Sequence, residues 1–374
     1  GELKDFPAPE LGSFAIRAAV ARSGVPAEDV EECVMGCVLG AGVGQAPARQ
    51  AALAAGLSEA TSCVTINKMC GSGMKAVMDA YDRLRTGDLR FIVAGGMESM
   101  SNAPYLLPRA RGGFRMGHRQ ALDHMFVDGL EDAYEKGRLM GSFAEDCAQS
   151  FQFTRAMQDD FALTSLERAR NATRSGSFEG EMTPVICKGS QAVAISTDEL
   201  PRKADAALIP SLRPAFREDG SLTAANSSGI SDGAAAIMLG TASRCEELSL
   251  RPIARIVGHA THAGPPSKFP TAPIDAISKL VAKIDWRFED IDLFEINEAF
   301  AVVTMAAMRA LRLSHEKVNV FGGACALGHP IGASGARIIV TLLAALKKYD
   351  LRKGVAALCI GGGEATAIAV ERLS

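Results

Sequence analysis

Residues 67–76 read NKMCGSGMKA and residues 322–337 read GGACALGHPIGASGAR, two glycine-rich stretches that share a core. Ser72-Gly73-Met74-Lys75 in the first answers Ser334-Gly335-Ala336-Arg337 in the second. Further on, Ala94-Gly95-Gly96-Met97-Glu98 answers Gly361-Gly362-Gly363-Glu364 at nearly the same separation. Two matches at nearly one offset suggest a duplicated unit. Each copy is expected to be an α/β half, because short apolar runs alternate with helical patterns around both motifs. The active site would then lie between the halves.

Outward from these motifs, strand-like runs fall at 32–38, 63–66, 90–94, 253–257, 293–296, 318–320 and 355–360. Residues 8–22 space Leu11, Ala15, Ala18 and Ala19 along one helical face behind Pro9, the pattern of a surface helix packed on a core. Residues from about 105 to 225 differ in character: they are more charged, richer in Arg and Pro, with a helical stretch at 154–173 and little strand pattern. Pro104, Pro108, Arg109 and Arg111 mark the entry to this region, and Pro201, Pro210 and Pro214 interrupt its later part. The expected organisation is a first half over 1–104, an insertion over 105–230 and a second half over 231–374.

At 374 residues the chain exceeds the size at which one hydrophobic core stops growing, so two or three packed units are expected. Hydrophobic residues at 48% against 22% charged fit a compact enzyme rather than a disordered or fibrous chain. Forty Lys and Arg against 43 acids, a net charge of −3, give no basic field of the kind that drives nucleic-acid binding. No apolar run is long enough for a bilayer and no charged-then-apolar leader opens the sequence, so a soluble, cytoplasmic, membrane-free protein is expected. Nine Cys without a C-x-x-C pair suit a reducing compartment better than a disulfide framework.

Cys70 follows the apolar run 64–66 and precedes a helical run through Met74, Val77, Met78 and Tyr81. A thiol at a strand-to-helix turn feels the helix N-terminus, so its pKa is expected below the usual value of about 8.5. Taken alone, the motif fits equally a buried cysteine in a tight turn. His329, one of only six His, sits in a loop dense in Gly and Pro. It could take a proton from Cys70 and then hydrogen-bond a thioester oxygen, or be a structural histidine. Cys359 opens CIGGGEA at the end of an apolar run, where three successive Gly could offer amides to an oxyanion and the thiol could act as a carbon base. The alternative is a strand-end cysteine before a turn. Asn297 follows the run 293–296 within EINEAFA and could hold a water, or cap the helix after it.

In this order and spacing, over essentially the whole chain, these four motifs resemble the thiolase family. The resemblance implies a thiolase-like α/β fold: duplicated βαβαβαββ halves in a five-layered α-β-α-β-α core, with an inserted loop domain. It implies that Cys70 is the acylated nucleophile, His329 its activator and Cys359 the base at Cα of a second acyl-CoA. It implies one oxyanion hole from an Asn297-held water with His329, and another from the N–H groups of Cys70 and Gly361. Ala224, Asn226, Ser228 and Gly229 in LTAANSSGISDGA resemble the family's pantetheine loop, Ala299 and Phe300 line the same tunnel, and Arg202 is placed to stack on adenine. Coenzyme A is implied as co-substrate, with no metal and no other cofactor, and the assembly as a homotetramer built as a dimer of dimers.

Two departures stand out. Leu139 precedes Met140-Gly141-Ser142-Phe143-Ala144-Glu145 where biosynthetic members carry a His, which bears on acyl-chain preference. The family's first strand, with its R-T-P-type segment, is absent before Gly1. The expected reaction is reversible condensation of two acetyl-CoA to acetoacetyl-CoA. A degradative 3-ketoacyl-CoA thiolase of broader chain length and a catalytically silent acyl-CoA-binding subunit are the alternatives. A ketoacyl synthase is disfavoured by CIGGG at 359–363, and a metal site at His259 and His262 by the lack of a third ligand nearby.

Overall fold

The computed structural model describes residues 1–187 and 193–373. Its first sheet begins with three parallel strands, β1 (Glu32–Gly36), β2 (Ser62–Ile66) and β3 (Phe91–Ser99), with β1 between the other two. Side chains alternate across this sheet. Cys33, Met35, Phe91 and Val93 pack under α1 (Ala8–Ser23) and α2 (Pro47–Ala55), whereas Val34, Ile92 and Ala94 pack under α3 (Ser72–Thr86).

The chain then leaves the sheet. The insertion contains the antiparallel pair β4 (Tyr105–Leu106) and β5 (Leu122–Asp123), helices α4 (Met140–Ser150) and α5 (Arg155–Arg174), the pair β6 (Val185–Ile186) and β7 (Ala194–Ile195), and the short α6 (Glu199–Lys203). Strand β8 (Asp232–Gly240) brings the chain back, antiparallel to β3 from Phe91↔Gly240 to Ser99↔Asp232. The second half therefore does not begin at 231 as expected: β8 completes the first sheet. Its sequence DGAAAIMLG has little intrinsic strand preference. Its backbone lies so close to β3 that a Cβ on Gly95 would sit 2.0 Å from the Ala235 carbonyl oxygen.

After α7 (Ala242–Glu247) come β9 (Ala254–Ala263), α8 (Ala272–Lys283), β10 (Leu293–Ile296), α9 (Ala301–Leu311), α10 (Ala324–Leu327), α11 (Ile331–Lys348), β11 (Lys353–Ile360) and β12 (Glu364–Arg372). The second sheet runs β10-β11-β12-β9, and Val318 adds only a single parallel bridge to Phe294 where a strand was expected at 318–320. Both sheets have four strands: with the Val318 bridge in the place of β2, β10, β11 and β12 answer β1, β3 and β8, and β9 lies beyond β12. β9 covers the outer edge of β12, while the matching edge of β8 carries no strand among the described residues.

Helix α8 and part of α9 cover the outside of the second sheet, and α11 covers its inside. Helices α3 and α11 thus lie back to back between the sheets, giving five layers, α-β-α-β-α. The duplicated Ser-Gly pair explains how two helices fit there. A Cβ on Gly335 would come within 2.3 Å of the Met74 nitrogen, and one on Gly73 within 2.9 Å of the Ala336 nitrogen. No helix among the described residues is long and apolar enough to cross a membrane.

The same closeness makes a test. A Cβ on Gly96 would meet the Gly332 carbonyl oxygen at 2.0 Å, where neither backbone can yield. Gly96→Ala is expected to destabilise the protein by about 2–3 kcal/mol, read as a lower urea midpoint. Gly180→Ala, which faces open space, should stay within about 0.5 kcal/mol of the parent. Equal midpoints for the two variants would contradict this packing.

Candidate active site

Cys70 sits in a turn whose geometry is fixed on every side. Met69 before it takes φ 48°, a strained value for a side-chain-bearing residue. Gly71 donates to the Lys68 carbonyl at 3.0 Å, Ser72 N–H to the Met69 carbonyl at 3.0 Å, and Lys68 N–H to Ser72 Oγ at 2.8 Å. A Cβ on Gly71 would lie 2.4 Å from Ile360 Cδ1, so the turn is seated on the end of β11. The first half's Cys70 turn is in this way pressed against the second half's CIGGG segment.

The backbone N–H groups of Gly361 and of Cys70 itself act on the Cys70 thiol to favour its thiolate. Burial nevertheless pushes it up to about 11, outweighing both donors, with the neighbouring Glu98 charge acting in the same direction. The expected lowering by the helix N-terminus does not occur. Cys70 is partly exposed, yet enough protein surrounds its sulfur that desolvation of a thiolate exceeds what two amides return. Cys359, 1% exposed, is likewise raised well above the usual thiol value by burial and then by the proximity of Cys70. After it, Gly361–Gly363 turn the β11/β12 hairpin, with φ of 94° at Gly362 and 87° at Gly363.

His329 is held by its backbone N–H, which donates to the Gly229 carbonyl at 3.0 Å and Ser231 Oγ at 3.2 Å. Its Nδ1 is 2.5 Å from Ser334 Oγ, which also reaches the Pro330 carbonyl at 3.0 Å. The hydroxyl can therefore serve either protonation state of the ring. Burial, and secondarily the Arg337 charge, hold the imidazole down to about 3, so at rest it is neutral. Asn297 Nδ2 lies 3.5 Å from the same Nδ1. His329 Nε2 and Asn297 Oδ1 are buried with no hydrogen-bond partner among the described residues. Two orphaned polar atoms in one buried place are what a reacting group or a held water would complete.

Asn297 is not a helix cap. Its N–H donates to the Ala357 carbonyl at 3.0 Å, and α9 begins only at Ala301. Glu298 beside it is a buried brace: it accepts from Ser165 Oγ at 2.7 Å, Asn319 Nδ2 at 2.9 Å and Cys325 N–H at 3.0 Å. Burial raises its pKa.

The residues expected to hold coenzyme A divide. Asn226 is fully buried with its amide committed, donating to Asp159 Oδ1 at 3.0 Å and accepting from Thr223 N–H at 2.7 Å. It shapes the loop rather than presenting a free side chain. Ser228 N–H donates to the Ala299 carbonyl at 3.0 Å, and the Gly229 carbonyl holds His329, so this loop is tied directly to the catalytic candidates. Ala224 is exposed. Ala299 and Phe300 are buried with Cys359 in an aromatic cluster, Phe300 meeting Phe216 edge-on at 5.7 Å. Leu139 occupies the N-cap position of α4, and the sulfur of Met140 lies 3.4 Å from the Cβ position of Gly361. Arg202 is half-exposed on α6 and ion-paired with Glu2. His259 and His262 pair with Asp82 at 3.0 Å and Asp275 at 3.5 Å. Sequence reasoning missed Ser334 as the partner of His329. Its place five residues on, in the first turn of α11, was the available signal.

Residues 1–243 match the thiolase N-terminal domain and residues 250–372 the thiolase C-terminal domain. The chain is 47% identical to an acetyl-CoA acetyltransferase of Cupriavidus necator, covering 100% of this chain and 95% of that protein. It is 48% identical to acetyl-CoA acetyltransferase 2 of Arabidopsis thaliana over 100% of this chain and 93% of the relative. The crystal structure of the Bacillus anthracis acetyl-CoA acetyltransferase superposes with a TM-score of 0.96 at 40% identity, over 100% of this chain and 95% of that one. A thiolase of Ascaris suum in complex with coenzyme A superposes at 0.93 with 42% identity, over 99% and 95%. With both domain models matched across nearly its whole length, the chain belongs to the thiolase family.

Proposed function

We propose that this thiolase, an acyltransferase, joins two acetyl-CoA into acetoacetyl-CoA and free CoA, and runs the reverse cleavage, through an acetyl group on Cys70. The observation that carries this reading is the junction of Cys70 with the Gly361 amide across the two halves, beside Cys359. Relatives named acetyl-CoA acetyltransferase over the full chain support the short acyl substrate.

The site is neutral at rest, and the proposed steps use that. The Cys70 proton passes to His329 Nε2 as the sulfur attacks the thioester carbonyl. The oxyanion forms at the N–H groups of Cys70 and Gly361. As the C–S bond to CoA breaks, the Cys359 thiol protonates the departing sulfur and becomes a thiolate. That thiolate takes a proton from Cα of a second acetyl-CoA, whose enolate oxygen faces the His329 N–H and a water held by Asn297 Oδ1. The enolate carbon attacks acetyl-Cys70, and the released sulfur recovers its proton from His329. The raised pKa of Cys359 suits both roles, an acid that is protonated at rest and a strong base once ionised.

Ala224, Asn226, Ser228, Gly229, Ala299 and Phe300 form the wall along which the pantetheine arm would run, with Leu139 and Met140 opposite Gly361 bounding the acyl group. Arg202 would stack on adenine, for which its pairing with Glu2 would have to open. The steps need no metal or redox cofactor. We further propose a cytoplasmic homotetramer, a dimer of dimers, on the family resemblance.

Three measurements bear on this. Cys359→Ala is expected to lower the turnover of acetoacetyl-CoA thiolysis about 10²–10⁴-fold, and activity within a few-fold of the parent would contradict the second cysteine's role. Iodoacetamide alkylation of Cys70 in the free enzyme should keep rising with pH beyond 9, because the thiol loses its proton only near about 11. A rate levelling off near pH 8 would contradict the raised pKa. Acetoacetyl-CoA should exceed a longer 3-ketoacyl-CoA in kcat/KM; the reverse order would favour the broad degradative reading.

A further inference from the structure

Lys68 and Glu364 belong to opposite halves, and their side chains form an ion pair across the junction. Neither has a part in the chemistry described above. Each is bonded into the backbone that carries one of the two oxyanion amides. On one side, the Lys68 N–H and carbonyl both close the Cys70 turn, through Ser72 Oγ at 2.8 Å and the Gly71 N–H at 3.0 Å. Lys68 cannot shift without shifting the Cys70 amide. On the other side, Glu364 is the first residue of β12 and pairs with Ile360 across the hairpin, so the tip holding Gly361 lies between them. Glu364 also pairs with Ala263 of β9, and the Gly363 carbonyl accepts from Gly264 N–H at 2.9 Å, which anchors the hairpin base to the second sheet.

The hairpin tip itself is three glycines, two of them at positive φ, with no side chain to stiffen it. The Cys70 turn is stiff but belongs to another half. The distance between the Cys70 and Gly361 amides therefore depends on what ties turn to hairpin. The contact of Gly71 with Ile360 is apolar and sets how near they can come. The ion pair supplies a directional tie in the same place.

We propose that Lys68 and Glu364 clamp the two oxyanion-forming loops across the halves and act as positioning residues for acyl transfer. The proposal rests on the reading of Cys70 and Gly361 as oxyanion donors. Oxyanion donors work only when aimed in advance at the developing charge, so a loose hairpin would cost turnover rather than substrate affinity. With side-chain exposures of 23% and 35% the pair feels solvent and is partly screened by salt.

The test compares the full-length parent with K68M, E364Q and the charge-swapped K68E/E364K. It reads kcat and KM for acetoacetyl-CoA, acetylation of Cys70 by mass, and the urea midpoint. Each single variant is expected to lose about five-fold in kcat with KM and midpoint nearly unchanged, and the swap to recover at least half of that loss. Raising NaCl from about 0.05 to 0.5 M should slow the parent more than K68M. A purely structural contact would instead move the midpoint along with kcat. Single variants that turn over like the parent while Cys70 still acetylates would overturn the clamp and leave the proposed function standing. So would a swap no faster than the singles. Failure of the parent itself to acetylate Cys70 would overturn the oxyanion reading and the clamp with it.

Discussion

The rest of the structure depends on the close crossing of α3 and α11 between the two sheets. Gly73 and Gly335 allow backbone to meet backbone there, within distances that a Cβ on either helix would forbid. Because the helices nearly touch, the sheets they cover are drawn together. The loops that open and close those sheets then reach a common point. The turn before α3 carries Cys70, the loop before α11 carries His329, and the end of β11 carries Cys359 and Gly361. A duplicated fold thus builds one site from two halves, each contributing groups the other lacks.

His329, Asn297 and Cys359 are buried at that junction and Cys70 is partly so, and this burial sets the resting protonation. Burial lifts both thiols and depresses the imidazole, so the uncharged form of all three is favoured. Polarity comes instead from backbone amides and from neutral side chains such as Asn297. Such groups stabilise a charge that appears during reaction without holding one beforehand. Buried carboxylates nearby are bound as braces. Glu98 accepts from the N–H groups of Val38, Leu39 and Gly332, and Glu298 joins the insertion to the loop of His329. The insertion therefore shares a buried hydrogen-bond network with the segment that precedes His329.

Much of this was legible in the sequence. The repeated Ser-Gly and Gly-Gly motifs announced the duplication, and the runs at 293–296 and 355–360 fall within observed strands because aliphatic residues dominate them. Strands β8 and β12 escaped notice. Both are rich in alanine, chosen for the small space under packed helices, and alanine carries no strand signature. The boundary at 231 failed for the same reason, since β8 did not look like a strand that would finish the first sheet. The expected lowering of the Cys70 pKa came from a local argument about a helix terminus. Burial among residues distant in sequence reversed it. Ser334 was visible only as part of a repeat, because its contact with His329 depends on how the loop folds back over the start of α11.

The account's central claim is that acyl transfer passes through Cys70 at the junction of the halves. The most direct measurement is the intact mass of the protein after brief exposure to acetyl-CoA, followed by peptide mapping, in the parent and in Cys70→Ala. The account requires one acetyl group per chain, located on Cys70 and absent from Cys70→Ala. An unmodified Cys70 in protein that still binds coenzyme A esters would contradict it and point to an acyl-CoA-binding subunit without catalysis.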